Sequence, residues 1–197
     1  QALLIFILQV FYELLKLNNV DPNLIKEFEK DTQRLEKITE RFSKIGSKPE
    51  LFRINLVEVL YSTVNYLKTR SSDKVTFETS FPKKDHIETP LNAALFSWVI
   101  ENICKNAIDA MDNHGKISID LKEKTESIIL DITDTGKGVP KSQFKTIFQP
   151  GFSTKKRGWG LGLSLAKRII ENYHNGKIFI KWSETGKGTT FRIMLNK

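Results

Sequence analysis

Apolar positions recur along this chain with two periods, and the change from one to the other marks its organisation. Residues 2–8 (ALLIFIL) are continuously apolar until Gln9, Glu13 and Lys16 interrupt the run. That length falls well short of the roughly 20 residues a membrane span needs, so a buried bundle helix ending near Lys16 is expected, with a truncated membrane-proximal segment as the other reading. Asn18, Asn19, Asp21 and Pro22 supply turn chemistry and a helix start, with Asp21 as N-cap and Pro22 at the first helical position. From 22 to 45 the large apolar side chains fall at Ile25, Phe28, Leu35, Ile38, Phe42 and Ile45, with Thr32 and Thr39 in the same stripe. Spacings alternating between three and four residues predict a helix with one narrow seam. Two helices alone bury too little, so the hairpin is expected to pair with a second copy as a four-helix bundle; an intramolecular helical cap is the alternative.

Gly46, Ser47, Lys48 and Pro49 break this pattern and predict a boundary between a helical hairpin over 1–48 and a second domain over 51–197. Beyond it the periods alternate. Residues 55–70 are helical, with Leu56, Val57, Leu60, Val64 and Leu67 on one stripe, and 74–80 alternate as a strand. A long amphipathic helix is predicted over 91–111, stopped by Asn113, His114 and Gly115. Strands follow at 117–121 and 128–132, a short helix near 142–148, a helix over 161–173, and strands at 178–182 and 189–195 joined at ETGKG. The fold class is α+β: an N-terminal helical hairpin, then an α/β sandwich with a mixed sheet and helices over one face.

Composition narrows this only a little. At 197 residues and 40% hydrophobic the chain can bury a real core, and its net charge of +8 favours anionic partners. The charge alone is no case for nucleic-acid binding. The single Cys104 excludes an internal disulfide and cysteine-based zinc clusters, which points to a reducing, cytoplasmic compartment. No secretory signal is recognisable, and an opening at Gln1 inside an apolar run predicts a fragment of something longer.

The chemistry lies in three groups of residues. Asn102, Asn106 and Asp109 are spaced by four and three, so all project from one face of the 91–111 helix. Such a row needs partners if it is not simply a solvated stripe, and hydrated Mg²⁺ with phosphate oxygens would serve. Next, Asp134 stands at a strand end, where its carboxylate could accept from an exocyclic amine such as that of adenine. Gly136 and Gly138 allow close backbone approach or a positive φ, although the same five residues could be no more than a turn. Finally, Gly158, Gly160 and Gly162 precede a helix whose free N–H groups could receive phosphates, with Lys155 and Arg157 to neutralise charge. A flexible loop and a solvated basic run are the plainer explanations. They do not account for the order of all three groups.

That order resembles the N, G1, F and G2 boxes of sensor histidine kinases: Asn102, Asn106 and Asp109; then Asp134, Gly136 and Gly138; then FKTIFQPGF over 144–152; then Gly158, Gly160 and Gly162. Those proteins belong to an ATP-binding superfamily shared with gyrase, MutL and a heat-shock chaperone family, and the resemblance covers about 51–197. The hairpin before it resembles their dimerisation and phosphotransfer domain. The resemblance implies that Asn106 coordinates Mg²⁺, with Asn102 and Asp109 supporting the metal, its waters or the phosphates. Asp134 would bind the adenine amine with Thr190 near the base. Phe148 and Phe152 would anchor an ATP lid carrying Lys155 to the γ-phosphate, and Gly160, Leu161 and Gly162 would place the next helix under the phosphates. It further implies a response-regulator receiver domain as partner, a homodimer through 1–48, and membrane attachment only through segments outside this chain.

Relatives that hydrolyse ATP carry a Glu base at the position of Asn102, and an amide cannot take a proton from water. Glu101 is adjacent but points about 100° away on the helix. A neutral imidazole already offers a lone pair, so phosphoryl transfer to histidine needs mainly positioning and charge neutralisation, by Asn102 and Lys155. A kinase is therefore expected, with an ATPase or a non-catalytic dimeric nucleotide-binding module as alternatives. The family's acceptor His, followed by an acidic residue and a Pro-Leu, is missing from the first helix. His86, His114 and His174 stand in loop or helix-end contexts of the second domain. The expectation is a chain that binds ATP without carrying its own phosphoacceptor.

Overall fold

The computed structural model describes residues 49–82, 86–154 and 160–197. The chain divides into two compact units, Gln1–Pro49 and Glu50–Lys197; the expected helical hairpin lies outside the described residues.

Among the described residues of the second unit, seven strands and three helices follow the order β1 (Phe52–Asn55), α1 (Leu56–Lys68), β2 (Val75–Ser80), β3 (Glu88–Leu91), α2 (Ala93–Ala110), β4 (Gly115–Glu123), β5 (Ser127–Asp134), α3 (Gly162–Arg168), β6 (Lys177–Glu184) and β7 (Gly188–Asn196). Two 3₁₀ turns, Lys141–Gln143 and Thr146–Phe148, stand where one short helix was expected. The main sheet has the order β2-β4-β5-β7-β6, with β2 parallel to β4 and every other pair antiparallel. This is the expected mixed sheet.

Strand parity decides where the core sits. Ile117, Ile119 and Leu121 of β4 pair with Asp134, Ile132 and Leu130 of β5, which pair with Thr189, Phe191 and Ile193 of β7. All point to one face, and on it the helices pack. Against it α1 buries Leu56, Leu60, Val64 and Leu67, and α2 buries Phe96, Val99, Ile100, Ile103 and Ala107. Each such aliphatic side chain contributes about 1.5–3 kcal/mol on leaving water. The opposite face is polar at its centre, where Asp131 accepts two hydrogen bonds from Arg192 (both 2.7 Å) and one from Lys181 (2.9 Å).

Helix starts follow capping chemistry. Asn55 Oδ1 accepts from Val57 N–H (3.2 Å), and also from Ile87 N–H (3.1 Å). Asn92 Oδ1 accepts from Leu95 N–H (3.1 Å). Asp112 and Asn113, with φ of 50° and 60°, then turn the chain from α2 into β4. The small antiparallel sheet of β1 and β3 was not expected. The expected helix over 161–173 is an α-helix only to Arg168 and a π-helical turn over Ile169–Tyr173. His174 closes it: Nδ1–H donates to Ile169 O (2.9 Å) and Nε2 accepts from Asn92 N–H (3.1 Å).

Candidate functional site

The C-terminal half of α2 forms the floor of the site. Asn102 and Asn106 are half-buried and Asp109 is exposed, one turn apart along the same side of the helix. Asn102 Nδ2 donates to the carbonyl of Trp98 (2.8 Å), one turn earlier, which leaves Oδ1 outside that bond. Opposite it stands Gly162, the first residue of α3, where a Cβ would lie 2.9 Å from Asn102 Oδ1. Only glycine lets α3 approach this closely. Trp98 Nε1 is a buried donor with no partner among the described residues.

At the other end of this floor, the loop after β5 folds over the last turn of α2. A Cβ on Gly136 would lie 2.7 Å from Ala110 O, and Lys137 N–H donates to the same carbonyl (3.0 Å). The loop thereby occupies a carbonyl that the helix end leaves unpaired. Gly138 takes a φ of +72°, and a side chain there would run into the backbone of Glu184. Gly186 N–H donates to Lys137 O (2.8 Å), so the β6–β7 turn clamps the loop from the other side.

Asp134 is the buried carboxylate of this end, only 4% exposed. Its Oδ1 accepts from Gly136 N–H (2.8 Å), and the Thr189 N–H also donates to the carboxylate. Burial pushes its pKa above the usual carboxylate range, and the two backbone donors oppose that without cancelling it. The same burial, with the charges of Glu101 and Asp134 nearby, lifts the Cys104 thiol to about 12. At neutral pH Cys104 is an inert core residue.

Thr190 pairs with Thr133 (Oγ1 to Oγ1, 3.0 Å) on the sheet face away from Asp134. Thr189, missed by sequence reasoning, is the residue directly opposite Asp134. Ser183, also missed, touches Thr189 Oγ1 at 3.0 Å and accepts from Val139 N–H at 2.7 Å. Consecutive threonines on a strand point to opposite faces, so the choice between them rests on cross-strand register.

On the other flank, Gly151 N–H donates to Gly160 O (3.1 Å). Gly160 takes a φ of +63°, and a side chain there would meet the backbone of Gly151 and Phe152. Leu161 is half-buried at the start of α3, its carbonyl accepting from Leu165 N–H (3.0 Å) and Ser164 Oγ (3.0 Å). Phe148 is buried edge-on against Phe191, ring centroids 6.3 Å apart, and Phe152 is half-buried. Lys155 and Gly158 lie outside the described residues.

The arrangement sets a buried acceptor, Asp134, beside one end of the C-terminal half of α2 and Gly162, facing the Asn102 amide oxygen, beside the other. Among the described residues no group of three or more His, Cys, Asp or Glu could hold a metal ion. A metal here would need few protein ligands and oxygen donors, which suits Mg²⁺ held by an Asn oxygen together with phosphate oxygens. No helix of the described residues is long and apolar enough to cross a membrane.

The profile of the family described as histidine kinase-, DNA gyrase B- and HSP90-like ATPases matches residues 92–197. The sensor histidine kinase ZraS of Salmonella typhimurium (strain LT2) is 31% identical over 170 residues, covering 84% of this chain and 36% of its own length. The chain thus spans about a third of that relative. The catalytic domain of histidine kinase ThkA superposes with a TM-score of 0.68 at 26% identity, covering 75% of this chain and 96% of that one. ThkA solved in complex with the response regulator protein TrrA gives a TM-score of 0.70 at 23% identity over 97% of this chain and 57% of that one, a likeness of fold.

Proposed function

The chain belongs to the family of histidine kinase-, DNA gyrase B- and HSP90-like ATPases, with an ATP-binding domain of the sensor histidine kinase type, and on that premise we propose that it holds Mg·ATP in the cleft along α2 and donates the γ-phosphoryl group to a histidine. One observation carries the reading: a single helix meets Gly136 at Ala110 and Gly162 at Asn102. Those contacts are eight residues apart, about 12 Å along the axis, a spacing that suits a base at one end and phosphates at the other.

At the base end, Asp134 accepts from the adenine amine, with Thr189 rather than Thr190 beside it. At the phosphate end, Asn106 gives Mg²⁺ an oxygen ligand, Asn102 and Asp109 hold its waters or the phosphates, and Gly160, Leu161 and Gly162 bring α3 close. Mg²⁺, when bound, neutralises charge on the β- and γ-phosphates. Lys155 is assigned the remaining γ-phosphate charge. Because Asn102 is an amide, it positions and cannot deprotonate water, which favours transfer over hydrolysis.

In the transfer, an imidazole nitrogen lone pair attacks the γ-phosphorus, the bond to the β–γ bridging oxygen breaks, and ADP leaves with that electron pair. The acceptor histidine is provided by a dimerisation and phosphotransfer segment, and a response-regulator receiver domain takes the phosphoryl group onward. Residues 1–48 are proposed as a dimerising hairpin of that type, without its acceptor His. The test is incubation with γ-labelled ATP and a phosphotransfer domain carrying a histidine. Acid-labile label on the added domain, lost in Asn106→Ala, is expected; steady phosphate release without transfer would replace the kinase by an ATPase.

A further inference from the structure

We propose that Ser183 fixes the direction of the Thr189 hydroxyl, so that the base end of the cleft presents acceptors only and selects a purine with an exocyclic amine over one with a carbonyl there. This deepens the proposed function, resting on the assignment of Asp134 and Thr189 to the base.

A serine hydroxyl has one proton and two lone pairs. Ser183 is buried, 7% exposed, and its Oγ meets three groups: Val139 N–H at 2.7 Å, Gly188 O at 2.9 Å and Thr189 Oγ1 at 3.0 Å. Val139 N–H can only donate and Gly188 O can only accept. The first therefore takes one lone pair of Ser183 and the second takes its proton. What is left for Thr189 is the other lone pair, so the Thr189 hydroxyl donates to Ser183 and its own lone pairs are turned to the cleft.

Asp134, opposite Thr189 in the register, is also an acceptor when ionised, and it already accepts from the backbone N–H groups of Gly136 and Thr189. Two acceptors side by side complement an amine. A ring carbonyl placed there would meet two acceptors and no donor, and polar groups left unpaired in a buried site cost more than an ordinary hydrogen bond gains. Without the Ser183 hydroxyl, Thr189 loses its acceptor, and its O–H can rotate to donate to such a carbonyl. Ser183 touches no ligand in this account; it is a positioning residue that acts through Thr189.

The experiment is calorimetric titration of the 197-residue chain with Mg·ATP and Mg·ITP, which differ at the amine against the carbonyl. Wild type should favour ATP strongly. Ser183→Ala should lower the ATP-to-ITP affinity ratio by about tenfold, chiefly by improving ITP relative to ATP, and Ser183→Thr, which keeps the hydroxyl, should retain the ratio. A role confined to bracing the loop would weaken both nucleotides equally, and an unchanged ratio in Ser183→Ala overturns the proposal. Thr189→Val, which removes the hydroxyl being oriented, gives a second reading: the ratio must fall in it, and Ser183→Ala added to it must change the ratio no further. Wild type without preference for ATP would overturn the base assignment as well. Loss of ATP affinity in Asp134→Asn with an intact ratio in Ser183→Ala would overturn the Ser183 role alone.

Discussion

Gly162 and Asn102 face each other so closely that a single methyl group would lie 2.9 Å from the Asn102 amide oxygen. That oxygen belongs to a side chain already tied back to Trp98 O, so it has little room to yield. Gly162→Ala should leave the fold intact yet displace the amide. Affinity for Mg·ATP should drop roughly tenfold, a loss in the range of a small overpacking penalty. Calorimetry with a thermal melt alongside checks this, and unchanged affinity would detach α3 from the phosphate end.

Asp131 provides the control, on the far side of β5 from Asp134. Its burial raises the carboxyl pKa, but hydrogen bonds from Arg192 and Lys181 outweigh that and hold it below the usual range. Asp131→Ala leaves Arg192 without its bidentate partner and should cost about 1–3 kcal/mol, less than a fully buried pair because Lys181 is largely solvated. Chemical denaturation should read that loss while Mg·ATP affinity stays at the wild-type value, since Asp131 points away from the cleft. A parallel loss of affinity would mean that the two faces are coupled.

The row Asn102, Asn106, Asp109 was legible in the sequence because helical spacing is a local property. So was Asp134, at the end of an apolar strand. Thr189 was not: GTTF offers two threonines, and only the β5–β7 register, which pairs Asp134 with Thr189, says which shares the face of Asp134. Ser183 depends on the β6–β7 register and its irregularity between Ile180 and Trp182. β1 and β3 are four residues each, with Pro90 in one, too short to impose a period. The π-turn over Ile169–Tyr173 keeps an apolar stripe that reads as ordinary helix, and the contact of the closing His174 with Asn92 N–H is tertiary.

His174 gives the unit a pH dependence with a defined sign. Burial keeps the ring neutral and its pKa below the ordinary 6.5, with the hydrogen bond to Ile169 O only partly opposing that. The unfolded chain therefore binds the extra proton first as pH falls. The stabilisation is complete above 6.5 and is lost as the pH drops below that value towards the lower native one. Melting temperature should fall between about pH 7.5 and pH 5.5 in wild type and fall less in His174→Ala. Equal slopes would remove His174 as the source.

The central claim is that this cleft holds a nucleotide by its base at Asp134, and titration of Mg·ATP into wild type and Asp134→Asn tests it most directly. Asn keeps the size of the side chain but exchanges one acceptor oxygen for a donor, which should oppose an amine and weaken binding by about 10- to 100-fold. Tight binding by wild type with that loss in the variant is the expected result. Equal affinities, or no Mg·ATP binding by wild type, would contradict the account.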